Sequence, residues 1–140
     1  MNSKQRFWRA LTDNDRGNKL EERSAVWRSV SEERRLQKLR CKQWPSSATI
    51  EVHYLLPTSP ESFCTLIYTV RGDGEVQVLQ QLTPGTGLPE IPEVGLMFEL
   101  DGSFDQLSWY GKGPFENYSD RNTGAKIGLY SGTVKAQWVP

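Results

Sequence analysis

Two cysteines and one histidine are all that this chain of 140 residues offers a transition metal. Cys41 and Cys64 share no C-x-x-C spacing and His53 is the sole imidazole, so a structural zinc site is excluded and no metal ligand is assigned. Both cysteines lie on strand-like stretches and read as small buried residues with free thiols, a disulfide being the alternative. An excess of either charge is missing too. The 17 basic and 17 acidic residues cancel, which removes the usual electrostatic reason to expect a nucleic acid or an anionic membrane as partner. One cationic segment stands out, Arg28, Arg34, Arg35, Lys38, Arg40 and Lys42. Glu32 and Glu33 interrupt it and Trp44 is its one nearby aromatic, so it reads as a solvated face. No apolar run approaches the roughly 18 residues of a membrane span, and no charged-then-apolar leader opens the chain. No G-x-S-x-G elbow surrounds a serine. Gly111-Lys112-Gly113 lacks the Lys-Ser/Thr pair of a phosphate loop, and Pro114 has no N–H to offer a phosphate.

Aromatics are what the chain has in quantity. Hydrophobic residues make up only 36%, but five Trp, five Tyr and five Phe bring large apolar area per side chain. A domain of this length buries roughly two-thirds of its unfolded surface, so these rings should anchor one core without metal or disulfide. Residues 1–18 alternate in no regular way and are rich in turn formers, and they read as an irregular arm. Over residues 19–30, Leu20, Val26, Trp27 and Val30 are spaced for one short helix, with Asn18 as N-cap and Glu21 and Glu22 in its first turn.

Beyond it the apolar period changes to two. Residues 35–43 read as a strand. Ala48, Ile50, Val52, Tyr54 and Leu56 line one strand face, as do Cys64, Leu66, Tyr68 and Val70, then Val76, Val78 and Leu82. Asp73-Gly74 marks a tight hairpin between the last two. Thr83 to Glu93, with three prolines and two glycines, is a loop. Val94 to Leu100 and Phe104 to Tyr110 follow as strands, and Val134, Ala136 and Trp138 begin another that the last residue cuts short. About seven antiparallel strands over residues 33–140 predict an all-β sandwich with one short N-terminal helix.

Glycoside hydrolysis with retention needs two carboxyl groups about 5–5.5 Å apart. Glu116 with Asp120, and Asp13 with Asp15, are the candidates, but carboxylates at turns more often pair with a neighbouring arginine, here Arg121 or Arg16. No catalytic residue is assigned. Trp109, Tyr110 and Tyr118 with Glu116, Asn117 and Arg121 could form a sugar-stacking platform, since a pyranose lays its apolar face on a ring and gives its hydroxyls to fixed polar partners.

Two segments carry a likeness to a known family. Phe7-Trp8-Arg9-Ala10-Leu11-Thr12-Asp13-Asn14-Asp15-Arg16-Gly17-Asn18 resembles the opening of the last large domain of family 2 glycoside hydrolases of β-galactosidase type, where proline commonly stands at the Leu11 position. Trp109-Tyr110-Gly111, Gly113-Pro114, Glu116-Asn117-Tyr118 and Asp120-Arg121 resemble a signature within that domain, and Leu88-Pro89, Pro92, Gly95 and Phe98 follow its pattern. The resemblance implies a β-supersandwich related to the galactose mutarotase fold. It further implies a parent that hydrolyses terminal β-galactosides with two glutamates on a separate TIM barrel. On this reading the chain is the N-terminal part of a domain that continues, inactive alone. It docks to the other domains of the parent through Trp8, Arg9, Asp13, Asn14, Asp15 and Arg16 of the arm and through the loop from Trp109 to Arg121, and touches galactoside at most indirectly. It holds no cofactor, any divalent or monovalent cation belonging to other domains. Open sheet edges should make it self-associate. The alternative is a free-standing carbohydrate-binding module.

Overall fold

The computed structural model describes residues 2–115, 117 and 122–137. Expectations for Glu116, Tyr118, Asp120, Arg121 and Trp138 lie outside the described residues. Antiparallel strands dominate, which places the chain in the all-β class as its alternating pattern predicts. Two compact units divide it, Ser3–Phe98 and, chiefly, the residues from Glu99 on. Among the described residues no helix is long and apolar enough to cross a membrane.

The first unit opens with β1 (Asn2–Arg6) and three short helices, α1 (Asp13–Gly17), α2 (Leu20–Arg23) and α3 (Val30–Glu33), with a 3-10 turn at Ala25–Trp27. Four strands follow as a meander, β2 (Arg35–Trp44), β3 (Ser47–Leu56), β4 (Ser62–Arg71) and β5 (Val76–Thr83), paired in that order. A long loop leads to β6 (Gly95–Glu99), which pairs with β1. In the meander Leu39 sits opposite Val52, Val52 opposite Leu66 and Cys64 opposite Leu82, so the alternating apolar residues fall on one sheet face. At the β4–β5 turn Gly74 takes φ 92, the left-handed conformation that the Asp-Gly signal anticipates.

The core sits where the helical segment covers one end of that face. Phe7, Trp27, Val30, Leu56 and Cys64 are buried, with Trp8, Val26, Leu82, Leu88 and Ile91 packed against them. The Phe7 and Trp27 rings lie 6.3 Å apart at 46°, a tilted contact within the favourable range for aromatic pairs.

In this unit three local expectations need correction. The stretch read as an irregular arm holds β1 and α1; Thr12 caps α1 and Asp15 returns the bond to the Thr12 N–H, a capping box spelled by Thr12-x-x-Asp15. The single helix over residues 19–30 is three pieces, because the chain turns at Lys19, in the left-handed region at φ 57, and again at Ser24 and Ser29. Serines compete with helical hydrogen bonds, and Ser24 spends its hydroxyl on the Glu90 carbonyl instead. Asn18 therefore caps no helix start; it ends α1. The third concerns Cys41, which is exposed on β2 while Cys64 is buried, both as free thiols. An edge strand with no cover exposes residues that a central strand would bury.

The second unit is a two-stranded ribbon, β7 (Gln106–Gly113) and β8 (Lys126–Thr133), in register from Gln106 opposite Thr133 to Gly113 opposite Lys126. The first residues of the expected signature loop, Trp109 to Gly113, thus belong to a strand. Val134–Gln137, read as the start of a strand, forms a 3-10 turn, with the Ala136 N–H bonded to the Thr133 hydroxyl at 3.1 Å.

Candidate functional site

The ribbon carries the ring platform. Successive strand residues point to opposite faces, so Trp109 shares its face with Gly111, Gly113, Gly128 and Tyr130, while Tyr110 lies on the other with Ile127 and Leu129. A platform holding both Trp109 and Tyr110 is therefore not formed; Tyr110 stands 79% exposed on the reverse side. Trp109 instead stacks on Tyr130, with centroids 5.5 Å apart and planes at 29°. Tyr130 becomes its partner through cross-strand register.

Glycines let these rings lie down. A Cβ at Gly113 would sit 2.8 Å from two Tyr130 ring carbons, too close for any side chain. The polar ends of both rings are satisfied by backbone: Trp109 Nε1–H donates to the Lys112 carbonyl at 3.2 Å and the Tyr130 hydroxyl to the Lys126 carbonyl at 2.9 Å. Beside the stack is a hollow of about 730 Å³, with Lys112, Phe115, Asn117 and Gln137 on its wall. The Asn117 amide donates to the Phe115 carbonyl at 3.0 Å.

The arm residues resolve into two groups. Arg9 grips Asp15 through both terminal nitrogens, Nη2 to Oδ1 at 2.9 Å, and its Nε donates to the Pro92 carbonyl at 3.3 Å. The Arg9 guanidinium, followed by the Thr12 N–H, holds the Asp15 carboxyl down from 3.8 to about 2. Trp8 packs against the core under the Arg28 guanidinium, 6.0 Å from its ring. Trp8, Arg9 and Asp15 thus bind within their own unit. Asp13, Asn14 and Arg16 are exposed, Asp13 and Arg16 as a pair at 2.9 Å. Asp15 is closed by Arg9, while Asp13, almost fully exposed, pairs with Arg16 at the surface.

Sequence reasoning missed what these contacts serve. The proline-rich loop between β5 and β6 has few backbone partners of its own, and side chains of the helical segment tie it down. Trp27 Nε1–H donates to the Pro89 carbonyl at 3.1 Å, the Ser24 hydroxyl to the Glu90 carbonyl at 2.9 Å, and Arg23 pairs with the Glu90 carboxylate. Leu88 and Ile91 drop onto the core. The clue available in the sequence was a long loop rich in prolines, whose carbonyls need donors from elsewhere.

Comparisons with known proteins place the sequence in a family. Residues 1–140 match the family described as beta galactosidase small chain. The chain is 47% identical over 134 residues to a beta-galactosidase of Priestia megaterium, covering 96% of this chain and 13% of that protein. It is 39% identical over 127 residues to a beta-galactosidase of Clostridium acetobutylicum, covering 91% of this chain and 14% of that protein. A beta-galactosidase small subunit of Latilactobacillus sakei is 26% identical, with 91% of this chain and 46% of that subunit aligned. The chain thus spans only a minor part of the length of these relatives.

Proposed function

Because the chain belongs to the beta-galactosidase small-chain family, we propose that it serves as a non-catalytic scaffold and interface portion of a β-galactosidase. The parent's chemistry, retaining hydrolysis of terminal β-galactosides, is assigned to a catalytic barrel elsewhere. The observation that carries this reading is how fully the described signature residues are spent on structure. Arg9, Thr12 and Asp15 close on one another and on the proline-rich loop, and the Trp109–Tyr130 stack closes on the ribbon's own carbonyls. Groups reserved for catalysis would be left open to a substrate. Exposed Asp13, Asn14 and Arg16 are the remaining docking candidates on the helical segment. No cofactor belongs to this portion, and any cation lies in other parts of the enzyme.

Self-association through sheet edges follows for β5 rather than for β2. β5 is an eight-residue edge without a charged side chain, and Val76 and Leu79 on it are 39% and 50% exposed. The test of the scaffold reading uses a chromogenic β-galactoside. The isolated chain should be inactive, and adding it should raise the activity of a related β-galactosidase shortened by the matching segment. Hydrolysis by the isolated chain would overturn the reading.

A second reading, a carbohydrate-binding module, draws on the half-buried ring stack beside its hollow. A sugar ring would lie against the Trp109–Tyr130 edge with Asn117 and Lys112 as polar partners. Titrating galactose and lactose against tryptophan fluorescence tests it, and a flat response up to tens of millimolar removes it.

A further inference from the structure

We propose that the outer edge of β2 is a docking rail for an extended peptide segment of another polypeptide in which acidic and apolar side chains alternate. This inference does not depend on the function proposed above. β2 is hydrogen-bonded only to β3 among the described residues, so one whole edge of its backbone is open to another strand. All 10 of its residues are exposed.

Its two faces differ in chemistry. Lys38, Arg40 and Lys42 share one face, opposite His53, Glu51 and Thr49 of β3. Arg40 reaches one carboxylate oxygen, on Glu51, at 3.9 Å, while the other Glu51 oxygen holds His53 at 2.8 Å. Lys38 and Lys42 have no ion pair among the described residues. Leu39, 60% exposed, and Cys41 lie on the other face. A strand added to this edge has the same period of two. Its acidic residues would meet the three cations while its apolar residues covered Leu39 and Cys41, and main-chain bonds would supply affinity common to any sequence.

Other occupants fit less well. A second copy of β2 would bring like-charged rows together, which destabilises a cross-strand pair. A single-stranded nucleic acid would use the cations but wants aromatic platforms along them, and Trp44 at the end of the strand is the one ring β2 offers. Neither would use the open backbone edge together with Leu39.

The experiment measures fluorescence polarisation of a labelled peptide of alternating Glu and Val, as long as β2, added to the full chain. Binding should weaken with salt, and saturating peptide should slow alkylation of Cys41. Lys38→Glu with Lys42→Glu should lower affinity about tenfold. The same variant should gain affinity for an alternating Lys and Val peptide, an outcome that misfolding could not produce. Equal binding of a peptide with its Glu and Val in separate blocks, unchanged Cys41 reactivity at saturation, or tighter binding of an oligothymidylate would each overturn the proposal.

Discussion

The unit Ser3–Phe98 and the ribbon beyond it are both antiparallel β-structure, yet they are held by different means. The first gathers every buried hydrophobic side chain among the described residues around Trp27, Phe7 and Leu56. In the ribbon Ile127, Leu129 and Tyr110 are 67%, 78% and 79% exposed, and one ring stack does the packing. A hairpin without a third strand or a covering helix is marginal in water. The difference teaches that sequence signature and self-sufficiency part company here. The strand that holds the resemblance-bearing Trp109-Tyr110-Gly111 lies in a ribbon that buries no hydrophobic side chain among the described residues.

Removing the core ring should separate the units most sharply. Trp27→Ala deletes a fully buried side chain and the Pro89 hydrogen bond, and such truncations cost about 3–5 kcal/mol, a large part of the 5–15 kcal/mol typical of a domain. Urea denaturation followed by far-ultraviolet circular dichroism should show the main transition moved to much lower denaturant. A shift of only a few tenths of a kcal/mol would break the comparison.

Gly113→Ala should act on the ribbon alone. Its Cβ would collide with the Tyr130 ring, and expelling the ring forfeits an aromatic pair worth about 0.5–1.5 kcal/mol. Trp109 emission should change while the denaturation midpoint of the larger unit stays put. Movement of that midpoint by as much as in Trp27→Ala would show that the ribbon is integral to the core.

Acid sharpens the contrast from the other side. The Asp15 carboxyl is held below its ordinary 3.8, to about 2, chiefly by Arg9 and the Thr12 N–H. A depressed folded-state pKa contributes stability that is present above the ordinary value and is lost as pH falls through that window. Stability of the first unit should decline between about pH 4 and pH 2, and Asp15→Asn should remove that part of the pH dependence. An unchanged acid profile in the variant would deny the Arg9–Asp15 contact its role.

The smallest effect is chemical. Exposed Cys41 should alkylate in the native state. Cys64, buried with its thiol pushed up to about 11 by desolvation, should react only on unfolding. Two fast thiols would show the core to be open.

The alternating pattern made the meander legible, since Val52, Leu66 and Cys64 announce a buried face through period two alone. The burial of Leu20, Trp27 and Val30 was legible by helical spacing, although the helix itself breaks at serines whose tertiary bonds no periodicity reveals. β1 was hidden because Asn2–Arg6 has no alternation and owes its strand form to pairing with β6, far along the chain. The platform was half legible. Trp109 stood out by composition, but its partner Tyr130 follows from register, and Tyr110, the next residue on the same strand, faces the other way.

Native-state hydrogen exchange, residue by residue, tests the central claim that the first unit holds itself together while the ribbon does not. Amides of β3 and β4 should exchange only through global unfolding, and those of β7 and β8 through local opening, at least about a hundredfold faster. Equal protection of the two sets would contradict the account, because the ribbon would then share the stability of the core.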